Sequence, residues 1–354
     1  MSVAAQNKRI QEIIQVAYQE RTVIQVYGSN SKSFYGRQFN GQHLDVSHHG
    51  GIIHYEPTEL IITAAAGTRL TEIEAALAAQ NQMLPFEPPH FGDKATLGGA
   101  IASGLSGPRR PYTGSARDFV LGIKLINGKG EVLSFGGEVM KNVAGYDISR
   151  LLTGSLGTLG VLLEVSLKVL PSPTHETTLI DKLTGKKALT RMLDYARQSL
   201  PLSACCHDGE YLYTRLSGSE QAIKKARQTI HGDELDKGEQ FWQQLREHQL
   251  TFFDSKQTLW RLSVPTNATD LPIKGETFLD WGGAQRWIKS DMDANIIRAQ
   301  AAAVNGHATQ FRNGDANEEF FQPLTGKLKQ LHINLKLAFD PHCILNPGRM
   351  YSDF

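Results

Sequence analysis

Gly154-Ser155-Leu156-Gly157-Thr158-Leu159-Gly160-Val161 runs without a break into the apolar stretch 161–170, which Pro171-Ser172-Pro173 then stops. Glycine at every third position permits tight turns of positive φ, and the aliphatic run behind it reads as a buried strand. The spacing is G-x-x-G-x-x-G and leads into a strand. The dinucleotide fingerprint of NAD-binding folds needs G-x-G-x-x-G opening a helix. Gly185-Lys186 is followed by Lys187, so the phosphate loop of ATPases fails as well. Neither NAD nor ATP is indicated.

Working outward, Asn127-Gly128-Lys129-Gly130 between the apolar runs 119–126 and 131–135 is a hairpin signal. Asp147 can cap a short helix reaching 153. Upstream, Thr96-Leu97-Gly98-Gly99-Ala100-Ile101-Ala102-Ser103-Gly104 carries a threonine cap and two glycines, an arrangement in which a helix N-terminus can meet a phosphate. Pro85, Pro88 and Pro89 force an extended crossing before it. Thr71 and Glu74 have capping-box spacing ahead of a helix to about residue 80. Strands are expected at 23–27, 44–46, 51–55 and 60–66, behind a first helix whose stripe is Ile10, Ile13, Ile14 and Ala17. The loop after the first strand, Gly28-Ser29-Asn30-Ser31-Lys32-Ser33, can aim several N–H groups at an anion.

The 354 residues suffice for about two domains of ordinary size. Lys+Arg 37 against Asp+Glu 36 leaves no field to steer the chain onto nucleic acid. Cys205, Cys206 and Cys343 are one short of the four thiolates an iron–sulfur cluster normally takes, so this chain carries none. The N-terminus lacks the apolar core of a secretory signal, and no stretch is long enough for a membrane span. A cytoplasmic location is expected, with attachment to the inner face of the cell membrane through partners. Of 33 glycines, 21 fall before residue 181, the half in which loops would wrap a ligand.

Past the Pro-Ser-Pro break, helices are expected at 188–200 and 293–304 and strands at 211–216, 259–264, 277–281, 286–288 and 307–311. Trp281, Arg286, Trp287, His307 and Arg312 are candidates to face a ligand, because a guanidinium fork suits a carboxylate. Arg286, His307 and Arg312 are the catalytic candidates. His207 beside Cys205 and Cys206 has no further ligand at zinc spacing, and no metal site is expected.

The order of the loop 27–36, Ala95-Thr96-Leu97-Gly98-Gly99, Gly145-Tyr146-Asp147 and the 154–161 turn resembles the FAD-binding domain of the vanillyl-alcohol oxidase and FAD-linked 2-hydroxy-acid dehydrogenase family. More narrowly, Leu105-Ser106-Gly107-Pro108-Arg109-Arg110-Pro111-Tyr112, Arg117-Asp118-Phe119-Val120-Leu121-Gly122, Asp280-Trp281-Gly282-Gly283-Ala284-Gln285-Arg286-Trp287 and Leu345-Asn346-Pro347-Gly348-Arg349-Met350-Tyr351 resemble the FAD-binding E subunits of bacterial glycolate oxidases. These segments span nearly the whole chain.

The resemblance implies an α+β fold: a two-subdomain FAD-binding domain (1–173), a smaller α+β cap domain (174–320), and a C-terminal helix and segment (321–354) returning to the flavin domain. It implies FAD contacts at Tyr27, Gly28, Ser29, Asn30, Ser31, Lys32, Thr96, Leu97, Gly98, Gly99, Ser103, Gly104, Gly114, Ser115, Gly160 and Val161, with Asn346 and Arg349 at the ring. Relatives that tether the flavin place a histidine in the first loop. This chain has Tyr27-Gly28-Ser29-Asn30-Ser31, so the FAD is expected to be non-covalent, and His48-His49 reads as a turn. The implied reaction is oxidation of glycolate, a small 2-hydroxy acid, to glyoxylate, with hydride passing to the flavin and electrons to an iron–sulfur subunit beside a second FAD-linked subunit. A stand-alone hydroxy-acid dehydrogenase and a flavin-holding, electron-relaying subunit without turnover remain as alternatives.

Overall fold

The computed structural model describes residues 3–137, 147–315 and 318–354. Gly145 and Tyr146 of the resemblance lie outside them. The first helix, Val3–Glu20, buries Ile10, Ile14 and Ala17 against a parallel pair, β1 (Ile24–Tyr27) and β2 (Gln42–Asp45). Leu345 forms a parallel bridge to Ile24, so the chain's end joins this small layer.

The second layer holds β3 (Ile52–Glu56), β4 (Ile61–Ala65), the short β5 (Gln82–Met83), β6 (Val120–Ile126), β7 (Val132–Gly136), β8 (Val161–Lys168) and the short β9 (Leu170–Pro171). Five of these make an antiparallel sheet in the order β3-β4-β8-β6-β7. β4 is buried at every position, and the helices Leu70–Ala78 and Leu97–Ser103 close over the sheet with Leu70, Ile73, Leu77, Ala100 and Ile101. The Asn-Gly hairpin forms between β6 and β7, where Asn127 Oδ1 accepts the N–H groups of Lys129 and Glu131 at 3.0 Å each. Asp147 caps the short helix Ile148–Leu151, accepting the N–H of Arg150. Thr71 and Glu74 do not form a capping box. The helix starts a turn position earlier, at Leu70, whose N–H is held by Ala95 O, and Glu74 instead meets His90 at 3.1 Å.

Beyond Pro171 the chain builds β10 (His175–Lys182), β11 (Leu202–His207), β12 (Tyr211–Gly218), β13 (Asp233–Glu234), β14 (Leu259–Ser263), β15 (Glu276–Asp280), β16 (Gln285–Lys289) and β17 (His307–Arg312). They form one antiparallel sheet ordered β13-β10-β12-β11-β15-β16-β14-β17. Alternation splits its two faces. Leu262, Ile288 and Ala308 pack with Ile297 and Ala301 of the helix Ala294–Ala303 on the outer face. Phe278, Trp287 and Phe311 pack with Tyr35 and Leu105 of the N-terminal layers on the inner face. β10 and β11 carry no legible period in the sequence: β11 is built from small residues around Cys205 and Cys206, whose burial only the sheet explains.

Buried charge ties this sheet to the N-terminal half. Glu87 accepts from Arg109 Nε at 3.1 Å and from Arg215 of β12 at 2.8 Å, and Arg109 also reaches Glu176 of β10 at 2.5 Å. Removing one member would leave an uncompensated buried charge, which is strongly destabilising.

Candidate functional site

A cleft of about 610 Å³, partly continuous with solvent, opens where β1, the Leu97–Ser103 helix and the C-terminal tail meet. Tyr27, Gly28, Ser29, Asn30, Ser31, Lys32, Thr96, Gly99, Ser103, Asn346 and Arg349 all line it. The loop after β1 carries the chemistry. The backbone N–H groups of residues 28–32 have no acceptor among the described residues, and Asn30 takes a left-handed φ of 60° that turns the loop. No aspartate or glutamate lines the cleft, while Lys32 and Arg349 do. Burial brings the Lys32 ammonium down to about 8, against a rise due to Glu247, and its Nζ donates to His90 O at 3.1 Å.

Arg349 shapes this loop from behind. Its guanidinium donates to Ser33 O at 2.9 Å and Arg37 O at 3.1 Å, and its own carbonyl accepts Arg37 N–H at 2.8 Å. Gly36 sits at φ 97°, where a Cβ would lie 2.9 Å from Arg349 O, so only glycine permits this close return. With no carboxylate paired to it among the described residues, burial lowers Arg349 to about 10. Asn346 is equally committed: Oδ1 accepts Val26 N–H at 2.8 Å and Nδ2 donates to Leu156 O at 2.7 Å. Both residues therefore border the cleft as braces of its wall.

The expected phosphate site at the Leu97–Ser103 helix N-terminus does not form. Leu97 N–H is taken by Thr68 O, Gly98 N–H by Ala66 O and Gly99 N–H by the Thr96 hydroxyl. A Cβ on Gly98 would meet Ala66 Cβ at 2.8 Å, so Gly98 serves helix–sheet contact, and Leu97 is core. Gly99 presents the bare face: a Cβ there meets only Thr96 Oγ1, at 3.1 Å. Gly160 and Val161 also leave the expected set, because a Cβ on Gly160 would lie 2.6 Å from Leu125 Cδ1 and 2.9 Å from Ile126 O, and Val161 is wholly buried in the core with Ile24. Gly104 closes on Gly154, a Cβ there lying 3.0 Å from Gly154 Cα. Gly114 N–H is held by Arg110 O, and Ser115 forms a capping box with Asp118. These positions shape loops and do not line the cleft.

The cap candidates are rearranged too. Arg286 pairs across the sheet with Leu262 and Leu279, which places it on the outer face. There its guanidinium donates to Thr269 O at 2.8 Å and Ala268 O at 2.5 Å, clamping the 264–275 segment away from the N-terminal half. His307 is exposed at the start of the edge strand β17, and Arg312 closes the same strand, over Phe34 (4.3 Å) and Phe91 (4.8 Å). The three are not brought together. His207 Nε2 donates to Leu183 O at 2.8 Å and its Nδ1 accepts Gly209 N–H, and no metal-holding group of His, Cys, Asp and Glu exists among the described residues.

The inner face offers residues the sequence reading missed: Arg261, His248, Asp280 and Gln285 around a small pocket under Trp287 and Phe311. Alternation in β14 and β16 was the available signal, since Arg261, Gln285 and Trp287 are one position out of phase with Leu262 and Arg286.

Residues 3–136 match the family model described as FAD binding domain. The fold is similar to solved alkyldihydroxyacetonephosphate synthase, with a TM-score of 0.67 over 96% of this chain and 75% of that one at 14% identity. The acid-free cleft with five free N–H groups fits a dinucleotide pyrophosphate. Fold and site thus define an FAD-binding protein with the vanillyl-alcohol-oxidase-type α+β architecture. Glycolate oxidase subunit GlcE of Escherichia coli strain K12 is 50% identical over 97% of this chain and 96% of its own. The chain belongs to that family of glycolate oxidase subunits. Glycolate oxidase subunit GlcD of Bacillus subtilis strain 168 is 26% identical over 86% of this chain and 78% of its own. A D-lactate dehydrogenase of Anaerostipes hadrus is 35% identical over 36% of this chain and 27% of its own. No helix among the described residues is long and apolar enough to cross a membrane.

Proposed function

We propose that this chain holds FAD non-covalently in the cleft behind β1 and oxidises a small 2-hydroxy acid, glycolate foremost, to the 2-oxo acid as one subunit of a glycolate oxidase complex. The observation that carries the reading is the run of unpartnered N–H groups at 28–32 in a lining with two cations and no acid. Ser29, Ser31 and Lys32 add donors for the pyrophosphate, Thr96 and Gly99 leave room for it, and Asn346 and Arg349 keep the loop in shape. The lining contains no histidine or cysteine to form a tether. When bound, FAD supplies a two-electron acceptor for the α-carbon's hydride.

The working division is residues 1–173 for FAD, 174–320 for the cap and 321–354 for the returning C-terminal segment. Reoxidation is assigned to a second FAD-linked subunit and an iron–sulfur subunit, consistent with three cysteines here, two of them buried. The complex would sit in the cytoplasm, meeting the inner face of the membrane through those partners. Purified protein should be yellow and release FAD on acid treatment, and anaerobic glycolate should bleach it. A colourless chain that takes up no FAD overturns the cofactor reading. Persistent colour with glycolate favours a flavin-holding, electron-relaying subunit, and bleaching by other 2-hydroxy acids alone favours a stand-alone dehydrogenase.

A further inference from the structure

The interface between the cap sheet's inner face and residues 105–108 is lined with ionisable groups that lack ordinary partners. Arg261 donates to Tyr35 Oη at 2.9 Å and lies over the Tyr35 and Phe311 rings at 5.6 and 5.5 Å, with no carboxylate within salt-bridge distance among the described residues. His248 is wedged parallel to Phe253 at 4.0 Å and edge-on to Trp287 at 4.6 Å, and its Nδ1 is buried without a hydrogen-bond partner. Arg110 stacks on Trp281 at 4.3 Å and is likewise free of an ion pair.

The positive charge around Arg261 is uncompensated. Burial, then the proximity of Arg261, holds Arg110 below its ordinary value, and burial with Arg312 and Arg261 keeps His248 neutral. An anion is the missing component. Across the same pocket stands Asp280, whose Oδ1 accepts Trp281 N–H at 2.7 Å and Oδ2 accepts Gln285 Nε2 at 3.1 Å, with no cation paired to it. Burial pushes its carboxyl up to about 7, so both protonation states are populated near neutrality.

We propose that this pocket is the 2-hydroxy-acid site, with Arg261 taking the substrate carboxylate and Asp280 receiving the hydroxyl proton. The proposal rests on the reading of this chain as a hydroxy-acid oxidoreductase and names its substrate residues. Asp280 would take the O–H proton as carboxylate, and bound oxidised FAD would supply the acceptor for the hydride that leaves the α-carbon as the C=O bond forms. Substrate loses two electrons and the flavin gains them. The two sites neighbour each other: Lys32 of the cofactor loop lies 5.7 Å over the ring of Phe91, which lines this pocket, and Tyr35, just past that loop, accepts from Arg261.

The test uses the FAD-loaded chain. Isothermal titration with glycolate should show binding to the unmodified protein that Arg261→Met weakens about 10- to 100-fold with FAD content unchanged. Asp280→Asn should keep glycolate binding within about threefold while slowing anaerobic bleaching about 10²- to 10⁴-fold. Independently of any variant's folding, the His248 ring-nitrogen resonance of the unmodified protein, identified by its absence in His248→Gln, should shift on saturation with glycolate. Wild-type binding and bleaching in Arg261→Met, or an unmoved His248 resonance at saturation, overturns this pocket and leaves the proposed function standing. An FAD-loaded wild type that neither binds nor is bleached by any 2-hydroxy acid overturns both.

Discussion

Asn346 Oδ1 accepts the N–H of Val26 at 2.8 Å, joining residues 320 positions apart and fastening the chain's last segment to the strand that launches the cofactor loop. The same side chain reaches Leu156 O at 2.7 Å, and the backbone repeats the link through Asn346 N–H to Ile24 O at 3.0 Å. A buried lysine backs this clasp: Lys336 Nζ meets Asp340 at 2.6 Å and Leu345 O at 2.7 Å.

Asn346→Leu should therefore destabilise the protein by about 2 kcal/mol, since it strands one donor and one acceptor that are only half-buried, at about 1–3 kcal/mol for each fully buried group. FAD occupancy should fall with it, because the 28–33 loop loses its anchor. Thermal unfolding and the flavin absorbance of purified protein check this, and an unchanged melting temperature would refute the clasp.

Two adjacent glycines should behave differently. Gly99→Val projects methyls toward the open cleft, so FAD occupancy should collapse while circular dichroism stays native. Gly98→Ala meets Ala66 Cβ at 2.8 Å and Ala66 O at 2.9 Å, and should lower the melting temperature first. Equal phenotypes from the two would remove the distinction.

Lys32 links FAD affinity to pH. Its ordinary value of 10.5 is brought down to about 8 by burial. Between these values the folded chain binds fewer protons than the unfolded one, so apo-protein stability gains from this group as pH rises through that window. FAD phosphate favours the ammonium, so above pH 8 binding takes up a proton and affinity should fall with rising pH. Lys32→Met should flatten that slope in flavin titrations from pH 7 to 10. A slope unchanged in the variant would assign it elsewhere.

Arg286→Met should cost stability and spare substrate. The guanidinium's bonds to Thr269 O and Ala268 O are lost and those carbonyls left short of donors, at about 1–3 kcal/mol. The melting temperature should drop while the glycolate dependence of bleaching stays constant. A changed substrate dependence at native stability would return Arg286 to the substrate site.

The sequence by itself determined the glycine turns and the order of β1 to β4 and of β6 to β8, because each rests on local chemistry: a glycine where φ must be positive, Asn-Gly at a hairpin, an apolar period over a strand. It could not say which face of the cap sheet looks inward. Arg286 and Arg261 are both guanidiniums on neighbouring strands, and a shift of one residue in register exchanges their faces. That choice falls to the helix Ala294–Ala303, which covers Leu262 and Ile288 and so turns Arg286 outward with them. The same limit applied to Gly98 and Gly99, identical in sequence terms: only the packing of the helix on Ala66 decided that one glycine holds the sheet and the other faces the cleft.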